Sequence, residues 1–302
     1  MDFTLPSASL LEQAKDISDL PSLTRSYVHK ARTALFDKHR AGGGGFEIAA
    51  AYSKMMDELI CHLFAAISKD FQRRYPTGNP QCPIIAQGGS GPSDLNPQCD
   101  IDLLFIYSWK VSPFIEAVTE KLLYTLWDAG LQVGHAIRSI SESMRLASTD
   151  MKVRTSLLDG RYVCGDQTLY KEFEKAVQSR LARKRVSGFV GEKLAENDER
   201  HAGYGGSVYL LEPDVKESEG GLRDIHTARW MARVKMQAKE LDELTDKGII
   251  SAADMAKLKG SHDFLLRVRN ELHFSTGRHQ DQLTFEEQEK VSQALGFQGE
   301  GS

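Results

Sequence analysis

Residues 100–107 read Asp-Ile-Asp-Leu-Leu-Phe-Ile-Tyr, two carboxylates at positions i and i+2 of an otherwise apolar run. Such a run predicts a strand buried on at least one face. Alternate side chains of a strand share a face, so Asp100 and Asp102 project together. Two acids that close repel each other unless a cation stands between them. At the rim of a core nothing structural needs them. Hard oxygen ligands at this spacing suit Mg²⁺, with Mn²⁺ as the alternative, because such an ion keeps several waters and binds substrate phosphates. The plain structural alternative is a hairpin whose acidic strand start is simply solvated.

The segment just upstream narrows the choice. A short apolar run at 83–87 leads into Gly88-Gly89-Ser90-Gly91. Paired glycines let backbone N–H groups approach an anion closely, and Gly88, Gly89 and Ser90 are the candidate cradle for a triphosphate. Each half is common alone. Their order, a strand, Gly-Gly-Ser, about ten residues, then Asp-x-Asp inside a second strand, is not. The run Gly42–Gly45 follows no strand and reads as a turn between helices.

Bulk properties remove other classes. At 302 residues the chain can form two domains. Its net charge of −4 speaks against a broad nucleic-acid-binding surface, although a local basic groove stays open. Four cysteines with no C-x-x-C spacing fit reduced thiols rather than a zinc site or a disulfide framework. The N-terminus has no basic region ahead of an apolar run, and no apolar stretch approaches the roughly 20 residues of a membrane span. A cytoplasmic protein without membrane contact is expected.

Helical periodicity is expected over 23–39 and 46–73, after a loosely held lead-in at 1–23. A helix at 114–129, ended by Gly130, precedes a strand at 131–140 and a helix from Ser141 to about 147. Residues 150–170 are expected to continue as helix, followed by helices at 170–185 and 186–200. Further helices are expected after Gly221 and near 235–247, 251–274 and 284–295. His273 and His279 are expected to be ordinary packing or surface residues. The fold class is therefore α/β (α+β). It divides into a helical lead-in (1–45), a core with a small mixed sheet (46–140) and a mainly helical domain closing the site (141–302).

The stretch GGSGPSDLNPQCDIDLLF resembles the nucleotidyltransferase signature of bacterial PII uridylyltransferases, the bifunctional uridylyltransferase/uridylyl-removing enzymes of the polymerase-β-type superfamily. LLYTLWDAGLQVGHAIRS, SLLDGRYVCGD, LEPDVKESEGGLRDIHTARWMAR and FLLRVRNELHFSTGRHQDQLTFEEQEKVSQALGF match the same family in the same order, so the likeness covers about residues 25–297. The resemblance implies Mg²⁺-dependent transfer of UMP from UTP to a tyrosine of the PII nitrogen-signalling protein, with release of pyrophosphate. Asp100 and Asp102 would hold two metal ions. A nucleotidyltransferase with another acceptor is a second reading; a weakened module that only binds nucleotide or PII is a third.

Departures from the family pattern are local. The usual GGYGRGEL is GGSGPSDL here, so an aromatic becomes Ser90 and the phosphate-capable arginine becomes Pro92. The strand expected to supply a third carboxylate contains none. His135 could orient a phosphate or a metal-bound water there, or equally be a packed strand histidine; Asp159 is the second-choice acid, with Arg161 as its expected partner. By resemblance, the loop carrying Lys216, Gly221, Arg223 and Asp224 faces the nucleotide. Full-length members continue into a His-Asp phosphohydrolase domain and paired ACT-type sensing domains, which this sequence is expected to lack.

Overall fold

The computed structural model describes residues 5–8, 11, 14, 16–76, 81–88, 94–183 and 186–297. The chain forms two compact units. The first comprises Met1–Asp37, Ala50–Leu95 and Cys99–Gln178; the second comprises Lys38–Ala49, Asn96–Gln98 and Ser179–Ser302.

Two long helices, α1 (Leu20–Arg40) and α2 (Gly45–Arg74), supply much of the first unit's apolar interior. On α2, Tyr52, Met55, Met56, Leu59, Leu63 and Ile67 are buried, a stripe at helical spacing wide enough to cover a sheet. Some residues of the segment before α1 are tied down. Leu11 is buried, and Asp16 and Asp19 form a reciprocal cap around the 3₁₀ turn Ile17–Asp19.

The sheet is built from β1 (Ile84–Gln87), β2 (Ile101–Tyr107), β3 (Val133–Ser139) and β4 (Arg161–Cys164), in the spatial order β3-β2-β1-β4. β1 runs antiparallel to β2 and β4, and β2 runs parallel to β3. A parallel neighbour needs a crossover, and α3 (Pro113–Asp128) supplies it. Ser112 caps α3 by accepting from the Ile115 N–H, and Pro113 occupies its first turn. Gly130, at φ +81°, ends it as expected. From Leu103 to Ile106 β2 is buried on both faces, whereas Asp102 is exposed.

After β3 come α4 (Ile140–Leu146), α5 (Met151–Leu158) and, beyond β4, α6 (Gln167–Val177). The continuous helix expected over 150–170 is therefore incorrect. The chain leaves α5 through Asp159 and Gly160, forms the four-residue strand β4 against β1 and re-enters helix at the Asp166 cap, whose Oδ1 accepts from the Leu169 N–H at 2.8 Å. Long-range pairing overrides local propensity there. Gly165 makes the tight exit possible: its φ is +93°, and a Cβ would collide with the Cys82 carbonyl oxygen.

The second unit is helical: α7 (Val186–Gly203), α8 (Leu222–Lys235), α9 (Glu243–Asp246), α10 (Ala252–Thr276) and α11 (Phe285–Ala294). The helix expected at 235–247 is confined to α9. Gln237 takes a left-handed φ of 53°, and its amide donates to the carbonyls of Val234 (2.9 Å) and Ala182 (2.7 Å), fixing the break after α8. Val215, Val268, Leu272 and Val291 form one buried cluster. Beside it lies a polar network. Arg269 is bidentate to Asp281 (Nε–Oδ1 2.7 Å, Nη2–Oδ2 2.9 Å) and donates to Asn96 Oδ1 at 2.7 Å, while Asn96 donates to Asn270. His273 is buried and His279 is exposed, and the Nε2 atoms of both lie near Asp281, at 3.2 and 2.9 Å. Among the described residues no helix is long and apolar enough to cross a membrane.

Candidate active site

The register of β1, β2 and β3 brings Gln87, Asp102 and Gly134 side by side across the sheet. Residues directly opposite in neighbouring strands project to the same face. Asp102 therefore emerges between two partners. One is a glycine, and the residue after the other, Gly88, is a glycine too. A Cβ built on Gly134 would lie 2.5 Å from Asp102 Oδ1, and one on Gly88 would lie 2.9 Å from Oδ2. Both carboxylate oxygens thus occupy space that any other residue at those positions would fill. Gly88 also has φ +58°, a left-handed conformation that side chains disfavour.

Asp100 immediately precedes β2. It and Asp102 are exposed on either side of buried Ile101, the alternation expected of an extended chain. Asp100 makes no ion pair or side-chain hydrogen bond among the described residues. Two exposed carboxylates two residues apart, one with its oxygens set between glycines, could hold a hard divalent cation.

A cavity of about 260 Å³ opens on this face, lined in part by Gln87, Asp102, Gly134, Arg138, Lys152 and Ser156. Arg138 lies four residues beyond Gly134 on β3 and so shares its face. Lys152 and Ser156 come from α5, one helical turn apart. The lining therefore combines an acid for a cation with two cations for anionic oxygens. Sequence reasoning missed Gln87, Arg138, Lys152 and Ser156. Arg138 had a signal, its strand spacing from Gly134, whereas Lys152 and Ser156 depend on where α5 packs.

The remaining candidates in this unit stand differently. Gly89 and Ser90 lie outside the described residues. His135 borders the cavity, but alternation along β3 turns its side chain to the opposite face, where its ring is 6.0 Å from that of Trp127. Asp159 is buried at the C-terminal end of α5. Arg161 engages Asp57 of α2 through both Nη groups, with Nη2 3.1 Å from Oδ1. Burial raises the Asp57 pKa against the pull of that guanidinium.

Lys216, Gly221, Arg223 and Asp224 lie together in the second unit, on the loop that enters α8. Asp214 Oδ1 accepts from the N–H groups of Lys216 (2.9 Å) and Glu217 (2.7 Å). Arg223 grips Glu217 (Nη2–Oε1 2.8 Å, Nε–Oε2 3.2 Å), and Asp224 accepts from the Gly220 N–H at 2.7 Å, from His201 and from Arg200. Burial alone would raise the Glu217 pKa, but Arg223, then Lys216 and Arg200, hold it below the usual carboxylate range. A Cβ on Gly221 would stand 2.8 Å from the carbonyl oxygens of Lys216 and Ser218, so the closed loop itself requires glycine there.

Similarity to known proteins covers both units. A sequence profile described as GlnD PII-uridylyltransferase matches residues 188–302. A protein from Bradyrhizobium sp. (strain ORS 278), named bifunctional uridylyltransferase/uridylyl-removing enzyme, is 40% identical over 274 residues, 89% of this chain and 29% of that protein. Proteins of the same name from Rhodopseudomonas palustris and Rhodospirillum rubrum are 38% and 40% identical over 92% and 84% of this chain, and 30% and 27% of their own length. Alignments this long cannot lie within either unit alone. The chain spans less than a third of the curated relatives it matches, and over that span it belongs to the uridylyltransferase/uridylyl-removing enzyme family.

Proposed function

We propose that the chain is a Mg²⁺-dependent nucleotidyltransferase that moves UMP from UTP to a tyrosine of a PII-type signal protein. The observation that carries this reading is the Asp102 carboxylate, held between Gly88 and Gly134 at a cavity that also presents Arg138 and Lys152. Acid and base side chains in one small cavity suit a ligand that is itself a cation–polyphosphate complex. The relatives' name, which speaks of uridylyl transfer, and the profile's description, which speaks of PII, support the choice of UTP and of a PII-type acceptor.

In this reading Asp100 and Asp102 are the metal-holding carboxylates. Bound Mg²⁺ would neutralise triphosphate charge and favour ionisation of the attacking hydroxyl. Arg138 and Lys152 bind phosphate oxygens, and the backbone at Gly88 allows the triphosphate to come close. The tyrosine oxygen forms a bond to the α-phosphorus as the bond from that phosphorus to the β-phosphate bridging oxygen breaks. Pyrophosphate departs and the phenolic proton passes to water. Positioning and charge neutralisation carry most of such a reaction, so few protein groups need to react.

The test is incubation of the protein with α-labelled UTP, Mg²⁺ and a PII protein. Label on a PII tyrosine that is lost in Asp100→Asn and Asp102→Asn supports the reading. Tight UTP binding without transfer would instead favour a binding module. Transfer with another of the four nucleotides, or only to another acceptor, would reassign the substrate.

A further inference from the structure

Gln87 ends an apolar strand, where core packing asks for no polar group. The residue is 7% exposed, and its Nε2 has no hydrogen-bond partner among the described residues. A buried amide donor without a partner is unfavourable, and such groups are uncommon in folded proteins. In-register pairing with Asp102 turns the amide to the face that carries the carboxylate, and Gln87 lines the same cavity as Arg138 and Lys152. The Asp102 oxygens are directed at the two glycines and do not take up the amide hydrogens. An acceptor that enters the cavity would satisfy it.

We propose that Gln87 is a substrate-binding residue whose side-chain amide donates to a phosphate oxygen of a nucleoside triphosphate lodged beside Asp102. This rests on the nucleotidyl-transfer reading. A phosphate oxygen is the acceptor that also suits two neighbouring cations. A neutral amide can hold it without competing with the carboxylates for a metal ion. The residue thus sets where the polyphosphate lies relative to Asp102, while the cations supply most of the attraction.

The experiment compares wild type with Gln87→Leu and Gln87→Glu by calorimetric titration, with Mg²⁺ present, using a non-hydrolysable α,β-methylene UTP analogue and inorganic tripolyphosphate as probes. Thermal unfolding is followed in parallel. Gln87→Leu is expected to unfold at the same or a higher temperature, because an orphaned buried donor is removed. Both probes should bind roughly ten- to a hundredfold more weakly. Gln87→Glu keeps the shape and swaps a donor for an acceptor, so it should weaken both probes at least as much; it also serves if the leucine variant folds poorly. Wild type that binds neither probe would overturn the nucleotide reading itself. Wild-type binding matched by both variants would overturn only the role of Gln87. Weakening toward the UTP analogue but not toward tripolyphosphate would overturn the assignment to phosphate.

Discussion

Asp102 and Gly134 are register partners in the β2–β3 pair, and Asp102 Oδ1 lies 2.5 Å from the position a Cβ of residue 134 would take. The obstacle is the tip of a side chain that can rotate, not backbone. Gly134→Ala should therefore move the carboxylate and leave the strand in place. Transfer is expected to fall by about a hundredfold, the scale of an ångström-sized misplacement. Unfolding free energy should change by less than about 1 kcal/mol. Rate and urea midpoint measured on one preparation check both halves.

The same substitution at Gly165 should behave in the opposite way. Its φ of +93° disfavours any Cβ, and the methyl would meet the Cys82 carbonyl oxygen and stand 3.0 Å from Pro83 Cα. Those are backbone atoms of the chain leading into β1 and cannot turn aside. Gly165→Ala is expected to destabilise the protein by about 3 kcal/mol or more. Urea denaturation followed by circular dichroism reads this directly.

The contrast shows which features are legible in sequence. Strand β2 announces itself because Asp100 and Asp102 interrupt an apolar run at a period of two, and α2 because its apolar residues recur at helical spacing over many turns. Strand β4 does not. Arg161–Cys164 is only four residues long, lies between two helical stretches, and becomes a strand by pairing with a segment some 80 positions earlier. Likewise, α8 stops where the Gln237 amide meets the carbonyl of Ala182, a contact without a local signature. In the site, the acid was visible as an anomaly within an apolar pattern. Gln87 was hidden as the last residue of a short apolar run, and Lys152 lay on a helix whose facing direction only the fold decides.

Arg138 and Lys152 line the cavity beside Asp102, and neither makes an ion pair among the described residues. If they bind phosphate, Arg138→Gln and Lys152→Gln should each weaken Mg²⁺–UTP binding by about tenfold. Losing a cation should also flatten the dependence of affinity on salt, because part of a screened charge interaction is gone. Titrations at several NaCl concentrations measure both effects. Unchanged affinity and an unchanged salt slope in both variants would place the polyphosphate elsewhere.

The second unit is expected to carry a pH dependence of its own. The Gln98 N–H approaches His273 Nδ1 at 3.4 Å, and His273 Nε2 lies 3.2 Å from Asp281 Oδ1. That pattern requires a neutral ring, accepting at Nδ1 and donating at Nε2. Burial, helped by the nearby charge of Arg269 and against the pull of Asp281, lowers the His273 pKa from 6.5 to about 4. Between those values the unfolded chain binds a proton that the folded chain does not. Stability should therefore fall as pH drops from about 6.5 to about 4, with a slope approaching about 1.4 kcal/mol per pH unit. Asp281 is held far below the ordinary carboxylate value despite its burial, by His273, His279 and Arg269, so its contribution is complete above about pH 3.8 and is lost only below that. The two effects occupy different pH windows and can be separated. His273→Asn should flatten the slope between pH 6.5 and 4 in urea titrations. Asp281→Asn leaves the buried Arg269 guanidinium without its carboxylate, and should cost about 3 kcal/mol or more already at pH 7. If wild-type stability is flat from pH 7 to 4, His273 is not a buried neutral acceptor and the polar network is held together in some other way.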